Sequence, residues 1–263
     1  MVIYSLPNTQ DVSLPIAIAL SAQQETNRND QIFCSGVPLQ NDLILTAAHC
    51  VKQFERHWQK DTLTIKTSRN EHESLRVSKS YIHPHYRENQ PQSELDFDAA
   101  ILELETSLPN NQQTRTFEIQ PNQMTDTGFL WMKGFSPIRL NAATSQQALK
   151  STETWSKLKY AEELPNEGKI KLKAERNQFA PCPGDSGAPV WQFEEKQALL
   201  KGIVVQGNCE KGEAKILNIS AFQDWLQRQT QNINAKSLNR FAVWKIFRQH
   251  LFAAARMPHQ GHE

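Results

Sequence analysis

The sequence predicts an all-β fold, either a barrel or a sandwich. Its apolar segments are short and are separated by turn-forming residues, which is the pattern of strands joined by tight connections. Long helices do not alternate with these segments, and this argues against an α/β fold. Examples of the predicted strands are, in chain order, residues 16–20, 63–65, 99–104, 129–132, 170–172 and 199–205.

The length and net charge of the chain are consistent with a globular all-β protein. A chain of 263 residues is long enough for a substantial core, and all-β folds of this size often form one domain. The formal net charge of +1 argues against an obligate polyanionic partner such as nucleic acid. We therefore expect a soluble globular protein.

Residues 182–189 read Cys-Pro-Gly-Asp-Ser-Gly-Ala-Pro and surround a serine with the features of an acyl-transfer nucleophile. A serine hydroxyl needs a nearby base, and amide donors for the oxyanion that it creates. Gly184 lets the backbone turn so that its N–H and that of Ser186 converge on one point, which a Cβ would crowd. A Gly-Asp-Ser-Gly turn without catalysis is the alternative that this segment leaves open.

A histidine and an aspartate upstream complete a candidate catalytic triad. His49 follows the apolar residues 43–45 at the predicted end of a strand, and Asp98 precedes the apolar residues 99–104. Histidine, aspartate and serine in this chain order form one of the known arrangements of the triad. The alternatives are a histidine with a purely structural role, and Asp96, two residues before Asp98 and on the same face of the predicted strand, as the acid of the triad.

These motifs resemble those of the trypsin/chymotrypsin-like serine peptidases, and the resemblance covers residues 2–233. It implies two packed six-stranded β-barrels of the chymotrypsin type, with His49 and Asp98 on the first barrel and Ser186 on the second. A C-terminal helix and an extra helical tail follow, and the boundary between the barrels is expected near residues 110–121. Further segments that match family landmarks are residues 82–86, 134–135, 202–207 and 222–226.

The resemblance implies a role for each member of the triad. Ser186 would attack a peptide carbonyl, His49 would accept its proton, and Asp98 would hold the imidazole in the required tautomer. The backbone amides of Gly184 and Ser186 would form the oxyanion hole, and family spacing favours Asp98 over Asp96. Protein or peptide substrates are implied, while no cofactor and no metal are expected.

The chain has four cysteines, and four cysteines allow three pairings. The family pattern selects Cys34 with Cys50 and Cys182 with Cys209, one bridge beside each catalytic loop. Two such bridges imply an oxidising compartment, which is the extracellular space, the periplasm or a secretory lumen. Four reduced thiols in a cytosolic protein are the alternative, and the spacing does not match a zinc site.

The resemblance also locates a pocket for the substrate side chain that precedes the cleaved bond. Ala180 would lie at its base, where a carboxylate would be needed to select lysine or arginine. Pro181, Val205, Gly207 and Ala214 would line the substrate-binding region. A pocket of this apolar character and moderate size predicts cleavage after medium or large apolar residues.

Activation is the point at which the chain departs from the usual family pattern. In the family, the aspartate that matches Asp185 pairs with a new N-terminal ammonium, and Val2 lies close to that position here. The start of the chain resembles the glutamyl endopeptidase branch, and we expect Met1 to be removed and Val2 to be needed for full activity. The acidic preference of that branch is not expected, because its pocket histidine has no match near residues 204–205. An ordinary disordered terminus is the alternative.

We divide the chain into a peptidase domain, residues 1–233, and a basic C-terminal helical extension, residues 234–263. Apolar residues of the extension fall on several sides of a helix, so docking on its own protein is favoured over a partner or an anionic membrane surface. The segment is too short and too charged to span a bilayer. A signal peptide is not visible at Met1, so either the chain is a processed form or export uses another route.

Two rival interpretations remain. A non-catalytic or latent binding protein with the trypsin fold would keep the barrels without turnover, although such proteins usually lose a triad residue and this chain keeps all three. A protease-chaperone with an attached peptide-binding domain is disfavoured, because the chain has no length left for that domain.

Overall fold

Twelve strands form two closed barrels in the computed structural model, which describes residues 18–24, 27–57, 62–66, 72–88, 96–108, 129–135, 154–175, 181–194 and 197–254. All of the strand pairs in both barrels are antiparallel. The predicted all-β fold is therefore confirmed, and it is the chymotrypsin-type pair of six-stranded barrels with a C-terminal helix.

The first barrel has the strand order β1-β2-β3-β6-β5-β4 and closes where β1 pairs with β4. Its central strands β3 and β6 are buried along their whole length, which explains their nearly continuous apolar sequence. The strands are β1 (Ile18–Gln24), β2 (Asn27–Gln40), β3 (Leu43–Thr46), β4 (Thr62–Lys66), β5 (His72–Ile82) and β6 (Ala100–Leu104).

The second barrel has the order β10-β11-β12-β9-β8-β7 and closes where β10 pairs with β7. In β9 the alternation of lysines with Ile170 and Leu172 turns the apolar side chains into the core. The strands are β7 (Phe129–Gly134), β8 (Thr154–Leu164), β9 (Lys169–Ala174), β10 (Pro189–Glu194), β11 (Gln197–Asn208) and β12 (Glu213–Asn218).

Two α-helices lie among the described residues. Helix α1 (Ala48–His57) follows β3 directly, and its Cys50 and Val51 pack into the core of the first barrel with Phe54 against them. Helix α2 (Ile219–Ala254) starts after β12. The chain forms two compact units, residues 1–221 and 222–263, and the described part of the second is the continuation of α2. No helix in the described part of the chain is long and apolar enough to cross a membrane.

The predicted strands agree with the observed ones. Strand β1 begins at Ile18, so residues 16–17 of the first predicted strand lie outside the described residues. The predicted barrel boundary near residues 110–121 also lies outside them. The division of the chain at residue 233 and the docking of its basic extension stay predictions.

Candidate active site

His49 and Asp98 form a close pair on the first barrel. His49 lies in the first turn of α1, directly after β3, and Asp98 lies in the segment before β6. The Nδ1 atom of His49 is 2.6 Å from Oδ2 of Asp98, and the backbone N–H of His49 donates to Oδ1 at 2.8 Å. The two contacts fix the carboxylate at the back of the imidazole and leave Nε2 on the opposite edge of the ring.

The environment of His49 raises its proton affinity. Burial lowers the pKa of the imidazole, but the hydrogen bond and charge of Asp98, with the charge of Asp96, raise it more, so the pKa lies above its ordinary value of 6.5. The side chain of Asp98 is 10% exposed and that of His49 34% exposed. The pair is therefore shielded on the carboxylate side and accessible on the imidazole side.

Asp96 has different partners from Asp98. Its Oδ1 accepts a hydrogen bond from the backbone N–H of Arg87 at 3.1 Å, and its Oδ2 lies 3.9 Å from Nζ of Lys169. The sequence interpretation put both aspartates on one face of a strand, and this is wrong, because both precede β6. Consecutive short-range bonds, Asp98 N–H to Asp96 C=O at 3.2 Å and Ala99 N–H to Phe97 C=O at 2.8 Å, hold this segment out of the sheet.

His83 supports the segment that carries Asp98. Its ring centroid lies 4.5 Å from that of Phe97, and its backbone N–H donates to the carbonyl of Ala99 at 2.9 Å. Its Nδ1 accepts the backbone N–H of His85 at 3.2 Å, as a neutral ring does. Burial, with the charge of His85, lowers the pKa of His83 to about 4. His83, which belongs to the predicted family landmark at residues 82–86, therefore contacts the residues on both sides of Asp98.

The loop of Ser186 is shaped by Gly184 and Asp185. Gly184 has a φ of 105°, in the region that side chains rarely adopt, as predicted for the turn before the serine. The backbone N–H of Asp185 donates to the carbonyl of Cys182 at 2.9 Å, and the N–H of Cys182 donates to Oδ2 of Asp185 at 2.9 Å. Asp185 is completely buried, and a Cβ on Gly134 would collide with its Oδ1.

This loop from the second barrel lies directly against the first barrel. The backbone N–H of Ser35 on β2 donates to the carbonyl of Ser186 at 2.7 Å. The Sγ atom of Cys50 lies 3.7 Å from the carbonyl oxygen of Ser186 and 3.7 Å from Nε2 of His49. Ser186 and the open edge of the His49 imidazole therefore share a neighbouring atom, and the three predicted triad residues come together at the junction of the barrels.

Both predicted disulfides are present. The Cα atoms are 6.1 Å apart in the Cys34–Cys50 bridge and 5.0 Å apart in the Cys182–Cys209 bridge. The first bridge ties β2 to helix α1 beside His49, and the second ties the Ser186 loop to the end of β11. Ligand-type atoms of Cys34, His49 and Cys50 lie within 4.8 Å of one another, but the two sulfurs are bonded to each other and are not thiolates, so they do not form a metal site.

The proposed substrate-binding residues are only partly within the described chain. Ala180 and Val2 lie outside the described residues. Pro181 is buried and contacts Gly207, where an added Cβ would lie 2.5 Å from the Pro181 carbonyl oxygen. Gly207 also pairs with the buried Ala214 across β11 and β12, and Val205 is at the irregularity in that pairing.

The sequence interpretation missed two buried hydroxyl groups beside the Ser186 loop. Ser35 donates from Oγ to the carbonyl of Gly184 at 2.8 Å, and Thr46 donates from Oγ1 to the carbonyl of Ser35 at 2.8 Å. Their sequence signal was weak, because a serine after Cys34 and a threonine at the end of a strand are ordinary residues. Position next to the two predicted catalytic loops is the only pattern that could have selected them.

The protein has two antiparallel six-stranded barrels, with an imidazole–carboxylate pair on the first and a serine in a glycine-containing turn on the second. This combination defines the chymotrypsin-type class of proteins. The family model described as Trypsin matches residues 3–226. The chain therefore belongs to the trypsin family, and at that level it is a serine protease.

Two relatives named as trypsins are similar over most of their length. The protein named "Trypsin" from Phaedon cochleariae is 27% identical over 224 residues, which cover 76% of this chain and 79% of the relative. The protein named "Trypsin, alkaline A" from Manduca sexta is 25% identical over 232 residues, which cover 78% of this chain and 83% of the relative.

Proposed function

We propose that this protein is a serine endopeptidase that hydrolyses peptide bonds through an acyl-enzyme on Ser186. One observation carries the proposal. The His49 imidazole is bonded to Asp98 at 2.6 Å through Nδ1, while its Nε2 edge and the Ser186 carbonyl share Cys50 Sγ as a neighbour. The carboxylate, the imidazole and the serine loop thus follow one another in the order that proton transfer from serine to histidine requires.

In the first half of the reaction, Ser186 Oγ bonds to the carbonyl carbon of the substrate and its proton moves to His49 Nε2. The carbonyl oxygen becomes an oxyanion, which the N–H groups of Gly184 and Ser186 stabilise. The intermediate then collapses, the C–N bond breaks, and the proton on His49 passes to the leaving amine. The products are a free amine and an ester on Ser186.

In the second half, water takes the place of the amine. His49 removes a proton from water as its oxygen bonds to the acyl carbon, and the same amides receive the oxyanion. Cleavage of the ester bond returns the proton from His49 to Ser186 Oγ and releases a carboxylic acid. Throughout, Asp98 accepts the Nδ1–H of His49 and stabilises the imidazolium, which agrees with the raised pKa of His49.

Labelling with a fluorophosphonate probe tests the proposal. Such probes phosphonylate a serine only when it is activated as a nucleophile, so we expect labelling of the wild-type protein and none of the Ser186→Ala variant. A circular dichroism spectrum common to both proteins is the folding control. If the wild-type protein, with Met1 removed, is not labelled, the alternative of a non-catalytic or latent trypsin-fold binding protein replaces the endopeptidase.

For specificity, we propose cleavage after apolar residues in protein or peptide substrates. Ala180, which the family resemblance puts at the base of the pocket, lacks the charge that lysine or arginine would need, and the buried Ala214 would supply a small wall. Pro181, Val205 and Gly207 would complete the binding region. Digestion of a peptide library should show apolar residues before the cleaved bonds, and a majority of cuts after lysine, arginine or glutamate would contradict the assignment.

For activation, we propose that the amino group of Val2 pairs with Asp185 once Met1 is removed. A completely buried carboxylate is stabilised by a positive partner, and this one belongs to the loop that carries Ser186. The likeness of the chain's start to the glutamyl endopeptidase branch supports the same assignment. Preparations with and without Met1 should differ in kcat, and equal activity would reject the pair.

We further propose that the protein works in an oxidising compartment, as a secreted or periplasmic enzyme. Its two disulfides lie beside the two loops of the active site, where reduction would loosen the catalytic geometry. Alkylation of the protein in lysates of the cells that produce it should leave all four cysteines unmodified. Modification of the cysteines without added reductant would contradict this localisation.

A further inference from the structure

Ser35 is a completely buried serine on β2 of the first barrel, next to the disulfide-bonded Cys34. It touches the Ser186 loop of the second barrel with both its side chain and its backbone. Its Oγ donates to the carbonyl of Gly184 at 2.8 Å, and its backbone N–H donates to the carbonyl of Ser186 at 2.7 Å. One residue therefore binds the carbonyls of both residues whose amides would form the oxyanion hole.

The two hydrogen bonds of Ser35 each help to hold one peptide plane of the Ser186 loop in place. In the plane that joins Gly184 to Asp185, the C=O is bound by Ser35 Oγ and the N–H by the carbonyl of Cys182 at 2.9 Å. In the plane that joins Ser186 to Gly187, the Ser35 N–H binds the C=O. The N–H of Gly187 donates to the carbonyl of Val204 on β11 at 2.7 Å. Each plane is held at both ends and cannot rotate without losing a buried hydrogen bond.

Rotation of these planes would misdirect the oxyanion donors. The N–H of Gly184 belongs to the peptide plane before its Cα, and the carbonyl that Ser35 binds belongs to the plane after it. The anchored plane therefore sets the direction of this N–H through the two backbone dihedrals of Gly184, of which φ is 105°. The amide of Ser186 lies between the two anchored planes. Donors in an oxyanion hole act only when they are aimed beforehand at the developing charge.

Ser35 is itself held rigidly. Thr46, at the end of β3, donates from Oγ1 to the carbonyl of Ser35 at 2.8 Å, and Thr46 is also completely buried. The Cα of Gly187 lies against the same carbonyl, since a Cβ there would collide with it. The support is therefore anchored in the first barrel, which also carries His49 and Asp98.

We propose that Ser35 is a positioning residue for the oxyanion hole, through its hydroxyl bond to the Gly184 carbonyl. This inference rests on the proposed function, because it assigns a task in acyl transfer. Because Ser35 is completely buried, it is out of reach of a substrate, and it acts through the orientation of the Gly184 and Ser186 amides. Its hydroxyl also aligns the second barrel's nucleophile loop with the His49 imidazole on the first barrel.

Kinetics of Ser35→Ala test the inference. This change removes Oγ but keeps the backbone N–H, so we expect kcat to fall roughly tenfold, a smaller loss than removal of an oxyanion donor itself, while KM changes by less than about twofold. Affinity for a peptide aldehyde should fall by a similar factor, because its adduct with Ser186 places an oxygen in the oxyanion hole. Ser35→Gly is a second variant that also lacks the hydroxyl and adds no atoms to the buried site.

Ser156→Ala is the matched control. Ser156 is also completely buried, lies on β8 of the second barrel, and its Oγ has no hydrogen-bond partner among the described residues. Loss of this hydroxyl should leave kcat, KM and aldehyde affinity at their wild-type values. A general effect of removing a buried hydroxyl would lower kcat equally in both variants and would overturn the inference.

The outcomes separate this inference from the proposed function. Wild-type labelling by the fluorophosphonate probe, with unchanged kcat and aldehyde affinity in both Ser35 variants, would overturn the role of Ser35 and leave the endopeptidase assignment intact. A wild-type protein that is neither labelled nor active would overturn both. Wild-type activity with a selective loss of kcat in the Ser35 variants supports the positioning role.

Discussion

Asp98→Asn should lower kcat by about 10⁴-fold at neutral pH. Asparagine keeps the size of the side chain but loses its charge, and its amide group can donate a hydrogen bond to Nδ1 of His49. The imidazole then carries its proton on Nε2 and cannot accept the proton of Ser186. The geometry that leads to this expectation is the pair of contacts from Asp98 to the ring and backbone of His49, at 2.6 and 2.8 Å. Hydrolysis of a chromogenic peptide with an apolar residue before the cleaved bond gives kcat directly.

Asp96→Asn is the matched control for that experiment. Asp96 bonds to the backbone of Arg87 and lies near Lys169, so its change should leave kcat near the wild-type value at alkaline pH. The charge of Asp96 contributes to the raised pKa of His49, and activity rises with pH as His49 loses its proton. The acid limb of kcat/KM in this variant should therefore move to lower pH. Full turnover by Asp98→Asn, or an equal loss in both variants, would transfer the catalytic role away from Asp98.

Gly187→Ala should lower the free energy of unfolding by roughly 3 kcal/mol or more. Gly187 has a φ of 82°, where a side chain is strained. A Cβ would also collide with the carbonyl of Ser35 and with Oγ1 of Thr46, and it would lie 3.1 Å from the backbone N of Ala47. All of these atoms belong to the first barrel, so the methyl group would force the two barrels apart beside Ser186. Urea unfolding followed by tryptophan fluorescence measures the loss.

Gly212→Ala isolates the contribution of steric contact. Gly212 has a similar φ of 67°, but the atom nearest to an added Cβ is Cβ of Ala174 at 3.8 Å, which is ordinary contact. This variant should lose only about 1 kcal/mol, the cost of a side chain in the left-handed region. Equal losses in the two glycine variants would mean that strain alone explains Gly187 and that its contact with the first barrel is unimportant. The labelling of Ser186 should also survive in Gly212→Ala and fall in Gly187→Ala.

Much of the fold could be predicted from local patterns. Strand β3 is buried along its whole length and has a continuous apolar run, whereas in β9 apolar residues alternate with lysines. Both patterns are visible in the sequence. The motifs around His49, Asp98 and Ser186 are also local, because each is a short segment in which the chemistry of acyl transfer allows few residue types. The pairing of the four cysteines needed the family resemblance in addition, since four cysteines are compatible with three connectivities.

The choice between Asp96 and Asp98 shows where local patterns stop. Both are acidic residues just before β6, and the sequence places them two positions apart with equal chemistry. In the folded chain, the short-range bonds before Ala99 turn Asp98 towards His49 and leave Asp96 beside Lys169 of the second barrel. A difference of this kind depends on backbone direction, which residue types alone do not specify.

The amino-acid sequence by itself was sufficient for an all-β fold and for the motifs around His49, Asp98 and Ser186, because periodicity and short motifs are properties of neighbouring residues. The prediction of two barrels needed the family resemblance of those motifs in addition. The support of the Ser186 loop became visible only in the folded protein. Ser35 and Gly184 are 149 positions apart, and their hydrogen bond forms because two barrels pack together at that point. Such long-range contacts depend on the joint packing of many segments, so a serine on β2 acquires its role from the tertiary structure and not from its neighbours in the chain.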